Sequence, residues 1–143
     1  MINEVVMKSI KPYKKLIITI VCVVLVIVGI VLFIPKKGSF FYGSDVSEIK
    51  SITITSGTTG DIIYLDKEHY EEFMKDMNDV TYYPNYLAST SYGWAYNVVI
   101  KTEDKTTGIF LLGEACEINN VKYRYKSDSE EGIIQMIQRL SGI

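Results

Sequence analysis

The chain has 143 residues, is 48% hydrophobic and nearly neutral, with 15 Lys/Arg against 17 Asp/Glu and one histidine. The balance is uneven: residues 1–44 carry six lysines against Glu4, a balance of +5, whereas residues 45–143 carry nine Lys/Arg against sixteen Asp/Glu, a balance of −7. An acidic segment lacks the cationic excess that nucleic acid demands, two cysteines exclude a disulfide scaffold, and about a hundred residues accommodate one hydrophobic core but not two.

Residues 1–15 form a short basic arm, and residues 16–34 run from Leu16 to Ile34 without a charge. Nineteen such residues, at a rise of ~1.5 Å each, cover the hydrocarbon thickness of a bilayer. A cleaved signal peptide has an apolar region of only ~7–15 residues followed by a small-residue site, whereas Ile34 leads into Pro35, Lys36 and Lys37. Lipidation at Cys22 is disfavoured by Val21 before it and by the twelve apolar residues after it. A type IV pilin would need a processing site and a Glu inside the apolar run, and residues 8–34 have neither. The expectation is an uncleaved signal anchor that contacts membrane lipid through residues 16–34.

Lys8, Lys11, Lys14 and Lys15 precede the span and only Lys36 and Lys37 follow it closely. The positive-inside bias therefore places the N-terminus in the cytoplasm and the C-terminal domain outside, in a single-pass topology at the cell membrane. Lys14, Lys15, Lys36, Lys37, Phe40, Phe41 and Tyr42 have the composition of a membrane-interface belt, with the lysines reaching towards headgroups. Residues 35–47 then read as a juxtamembrane tether, and residues 48–143 as an extracytoplasmic domain.

In that domain Ile52 and Ile54 alternate with Ser51, Thr53 and Thr55, the pattern of a half-buried strand. The Ser-Gly-Thr-Thr-Gly turn at 56–60 leads to a second strand over 61–65. Asp66 is placed to cap a helix whose apolar stripe is Tyr70, Phe73, Met74 and Met77, ending near Asn78 or Asp79. After a loop, Trp94, Tyr96, Val98 and Ile100 alternate with Ala95, Asn97, Val99 and Lys101, and the polar run 102–107 turns the chain into a strand over 108–112. Strands over 115–118 and 121–126 meet at Asn119-Asn120, residues that tolerate the positive φ of a tight turn. Ser127 to Glu130 resembles a capping box before a last helix with core positions Ile133, Ile134, Ile137 and Leu140. The predicted fold is α+β: one transmembrane helix, then an antiparallel sheet of five or six strands with two helices packed on one face.

The Lys-rich start and single span, followed by "SEIKSITIT", a Gly turn, "DKEHYEEFMKDM" and "WAYNVVIKTEDKTTGIFLL", resemble the small membrane-anchored or lipoprotein domains of unknown function of Gram-positive Firmicutes. The resemblance covers roughly residues 46–126. It implies a cell-surface domain without catalysis and assigns no site residues.

Residues able to carry chemistry are few. His69, Glu72 and Asp76 share a helical face, but zinc takes three or four protein ligands including further His or Cys, so a solvated surface is the expected role. Cys116 lacks a nearby base and reads as a small buried strand residue. The carboxylate pairs Glu71/Glu72, Glu103/Asp104 and Glu130/Glu131 fall at helix starts and turns, where solvation accounts for them. No catalytic residue, metal or cofactor is therefore expected. The stretch from Thr81 to Tyr96 is the best candidate for recognition, with five tyrosines and the only tryptophan around a Pro and a Gly. Trp94 and Tyr96 are expected in the core, and Tyr82, Tyr83, Tyr86 and Tyr92 are expected to present rings to a partner. The function this suggests is a membrane-anchored accessory or sensor domain that binds a membrane protein or cell-envelope component. A small envelope hydrolase using acidic residues and a structural subunit of a membrane complex are the alternatives.

Overall fold

The computed structural model of the chain describes residues 2–43, 45–88, 93–128 and 131–142, with side chains from residue 13 onward. It divides into two compact units, residues 1–34 and residues 35–143.

The first unit is one helix, α1 (Ile2–Phe33), which begins within the basic arm rather than at Leu16. Its stretch Tyr13–Phe33 has a mean hydropathy of 3.5 over its most apolar window and none of that window is buried against protein. A helix of 21 residues rises about 30 Å, enough to cross a bilayer.

The second unit contains β1 (Lys36–Lys37), α2 (Ser39–Tyr42), β2 (Ile49–Ser56), β3 (Ile62–Tyr64), α3 (Tyr70–Asp79), β4 (Thr81–Pro84), β5 (Tyr96–Thr102), β6 (Thr106–Leu112), β7 (Ala115–Ile118), β8 (Val121–Lys126) and α4 (Ile133–Ser141). Among the described residues the sheet has eight strands rather than five or six, ordered β1-β4-β8-β7-β6-β5-β2-β3, with every neighbour antiparallel. The chain as a whole has four helices among those residues. The sheet is larger than predicted because of β1 and β4, short strands whose backbone groups are satisfied only by non-local pairing: Lys36 lies opposite Tyr82 and Tyr82 opposite Tyr125.

Strand alternation sends Ile52, Ile54, Val98, Ile100, Ile109, Leu111, Cys116 and Ile118 to one face, where they are buried with Phe73, Met74 and Met77 of α3 and Ile133, Met136 and Ile137 of α4. Burying such a side chain contributes ~1.5–3 kcal/mol each, so this layer dominates the stability of the domain. The predicted stripe of α3 is therefore the buried one. In α4 the core takes Met136, while Ile134 and Leu140 are only partly buried. Hydrogen bonds also tie α3 and α4 to the central strands: the Ile52 N–H donates to the Tyr70 hydroxyl at 3.3 Å, and Gln138 Nε2 donates to the Tyr96 hydroxyl at 3.2 Å.

The turn chemistry is local. Asn119 and Asn120 have φ of 51° and 63°, as a two-residue β7–β8 hairpin turn requires. Asp66 precedes a 3₁₀ turn (Lys67–His69) rather than α3 itself, and its side chain makes no capping bond. At α4 the Gly132 N–H donates to Gln135 Oε1 at 3.1 Å, so this end is closed from inside the helix. The expected box over 127–130 ends at positions 129 and 130, outside the described residues.

Residues 36–43 are part of the domain rather than a tether. Lys36 and Lys37 extend the sheet, and Phe41 and Tyr42 are buried in the core. The Tyr42 hydroxyl donates to the Tyr82 hydroxyl at 2.7 Å, and the Phe41 ring meets those of Tyr82 and Tyr123 edge-on at 5.3 Å each. The Lys105 ammonium donates to the Phe41 carbonyl. Gly38 allows the close approach: a Cβ there would lie 2.0 Å from the Met77 carbonyl oxygen.

Candidate functional site

Of the four tyrosines expected at a recognition surface, the structure separates Tyr82 from the rest. Its ring is 0% exposed in the aromatic cluster just described, and burial raises its phenol and that of Tyr42 well above the usual range. A residue on β4 must face one way or the other, and Tyr82 takes the core register while Tyr83 takes the outer one. Tyr83 is 44% exposed, Tyr86 47% and Leu87 94%, so an exposed apolar lip runs from the end of β4 into the residues after it. Tyr92 lies outside the described residues. Tyr96 is buried as expected, whereas Trp94 is only half-buried, with its ring 6.0 Å from that of Phe110, because β5 begins two residues later.

The membrane-interface set divides similarly. Phe41 and Tyr42 are core residues, which corrects the expectation for them; Phe40 is exposed, with Lys36 Nζ 4.5 Å from its ring centroid. Lys37 Nζ donates to Asp128 Oδ2 at 2.8 Å and to the Asp79 carbonyl at 3.0 Å, raising the ammonium pKa and holding the Asp128 carboxyl below its usual range. Lys14 and Lys15 lie on α1 with exposed side chains.

The sheet face opposite the helices carries no covering element among the described residues of the second unit. Its register defines rows of neighbours. Tyr83, Arg124, Ala115 and Leu112 form one; Lys122, Glu117, Phe110, Asn97, Thr55 and Ile62 form the next; Gly108, Val99, Thr53 and Tyr64 form a third. This surface is more apolar than a solvated sheet face needs to be, with Tyr64 at 74% exposure and Ile62, Phe110, Tyr83 and the lip also open. The sequence singled out Tyr83 and Tyr86 but not Leu87 or the face, whose signal was the alternation Lys122, Arg124, Lys126 on one side of β8.

Two concavities adjoin it. A cleft of about 700 Å³ lies between β8 and the start of α4, lined by Arg124, Lys126, Ile133, Ile134 and Glu114, the one carboxylate there among the described residues. A shallower hollow of about 270 Å³ lies beside Tyr86, Ala88, Asn120 and Lys122. General acid–base pairs need two convergent groups, and among the described residues Glu114 has no second carboxylate beside it in the cleft. Glu72 and Glu131 bind Arg139, at 2.8 and 2.9 Å, linking α3 to α4. Asp76 is raised by partial burial and by Glu72.

His69 occupies the 3₁₀ turn, its Nε2 3.6 Å from Glu68. No group of three or more His, Cys, Asp or Glu placed to hold a metal ion occurs among the described residues. Cys116 is fully buried between β6 and β8, and burial pushes its thiol up to about 12, so it stays protonated. Comparison with known family models, with curated proteins and with solved structures finds no match to this chain.

Proposed function

We propose that this protein is a single-pass, membrane-anchored accessory or sensor protein whose C-terminal domain lies outside the cytoplasm and binds a membrane-protein or cell-envelope partner without catalysis. The observation that carries the reading is the uncovered, ring-bearing sheet face, with its lip of Tyr83, Tyr86 and Leu87, on a domain that begins directly after an apolar helix of spanning length. Anchoring favours binding because a partner in the same membrane is met at high effective concentration. Exposed Tyr rings suit such a surface, combining a large contact area with little conformational freedom to lose.

The test is cross-linking in cells followed by detergent solubilisation and capture of the full chain, compared with a variant carrying Tyr83→Ala and Tyr86→Ala whose fold is verified. A partner captured by the parent and lost by the variant supports docking at this face. An identical set of captured proteins sinks it. Topology is read separately, by the reactivity of a cysteine placed at Leu87 towards a membrane-impermeant thiol reagent in intact cells. Labelling is expected, and protection until lysis would reverse the orientation.

A further inference from the structure

The charge on the uncovered face runs against that of the domain. Among its strand positions stand Lys37, Lys101, Lys122, Arg124 and Lys126, and a single acid, Glu117 opposite Lys122. The excess of acid in residues 45–143 is carried elsewhere, much of it by Asp66, Glu68, Glu71, Glu72, Asp76 and Asp79 around α3 on the opposite side. Glu117 and Asp128 answer Lys122 and Lys37 respectively. Arg124, between Tyr83 and Ala115, and Lys126, opposite Thr81, face no acid across their strand pairs, although Asp128 is drawn to Lys126 as well as to Lys37 and Glu114 shares their cleft.

Building on the docking reading, we propose that the partner meets this face with an extended acidic polypeptide segment. Charge sign is the first argument: a patch of one sign on a domain of the other orients and selects a complementary partner. Spacing is the second. Lys122, Arg124 and Lys126 recur every second residue of a strand, about 7 Å apart, and alternate side chains of an extended peptide repeat at the same distance. The third is the company they keep. Tyr83 sits directly across from Arg124 and Tyr86 adjoins Lys122, so apolar contact is available beside two of the three point charges.

The experiment uses the full chain in phosphatidylcholine nanodiscs and a fluorescein-labelled ten-residue peptide of alternating Glu and Thr, with binding read by anisotropy. Arg124→Glu combined with Lys126→Glu tests the face; Lys67→Glu combined with Lys75→Glu, at exposed positions on and beside α3, imposes the same change of net charge. The face variant is expected to weaken binding by about tenfold or more, and the helix variant by less than about twofold, with binding falling as salt screens the charges. Equal losses in both variants overturn the proposal, as does failure of the peptide to bind or binding of inorganic polyphosphate in its place. The two readings separate in the capture experiment. A partner lost with Tyr83→Ala and Tyr86→Ala but kept by the folded face variant leaves docking standing and overturns the acidic segment.

Discussion

Replacing Tyr82 with Phe removes one oxygen from a buried pair and leaves the Tyr42 hydroxyl without the acceptor it has at 2.7 Å. Both residues are core members, at 5% exposure or less, so the stranded hydroxyl has little access to water. A lost hydrogen bond that orphans a buried donor costs ~1–3 kcal/mol, and Tyr42→Phe should cost a similar amount for the same reason. The double variant leaves no orphan. Its cost is expected to fall well short of the sum of the singles, giving a coupling of ~1–3 kcal/mol. The assay is urea unfolding of the full chain in mild detergent, followed by emission of Trp94, the only tryptophan. With m of ~1–3 kcal/mol/M, a 2 kcal/mol loss moves the midpoint by roughly 1 M. Single variants costing under ~0.5 kcal/mol with strictly additive effects would refute the buried pair, and with it the placement of residues 36–43 in the core.

Gly38→Ala should destabilise the domain by at least ~1–3 kcal/mol, since its methyl would meet backbone atoms of Met77 and Asn78 that cannot rotate away; an unchanged urea midpoint would show that the segment is not packed there. Cys116 and Tyr125 titrate ordinarily at 9.0 and 10.0 and are both pushed up to about 12 by burial. The unfolded chain therefore releases these protons first, and the stability they contribute is complete below about pH 9 and declines as pH rises towards 12. A urea midpoint that stays flat from pH 9 to 11 would contradict this. In acid the sign reverses for Glu131, held below its usual range by Arg139. Its contribution is present above the ordinary carboxylate pKa and lost as pH falls through the lowered one, so Arg139→Gln should flatten the acid limb of the unfolding profile.

The parts of the fold legible in the sequence are those with a local cause. The i, i+3, i+4, i+7 stripe of α3, the alternation of β2 and β5, and the Asn119-Asn120 turn each follow from a few neighbouring side chains. Residues 36–43 were harder, because two lysines followed by Phe40, Phe41 and Tyr42 satisfy an interfacial belt and a buried aromatic cluster equally well. What decides between them is β4, forty-odd residues away, and β4 has only four residues, one a proline, too few to show a period. The same gap explains Tyr82, whose neighbour Tyr83 has the same chemistry and the opposite fate. The basic face was half visible in β8, but which residue stands across from each cation depended on strand register.

The sheet is bounded by β1, of two residues, and β3, of three. Open strand edges are templates on which another chain can lay its backbone, and long flat ones seed fibrils. Here each edge offers at most a few backbone groups, and the β1 edge carries two lysines. The fold thus leaves its margins little able to pair with the strand of another chain, at whatever density the domain is held.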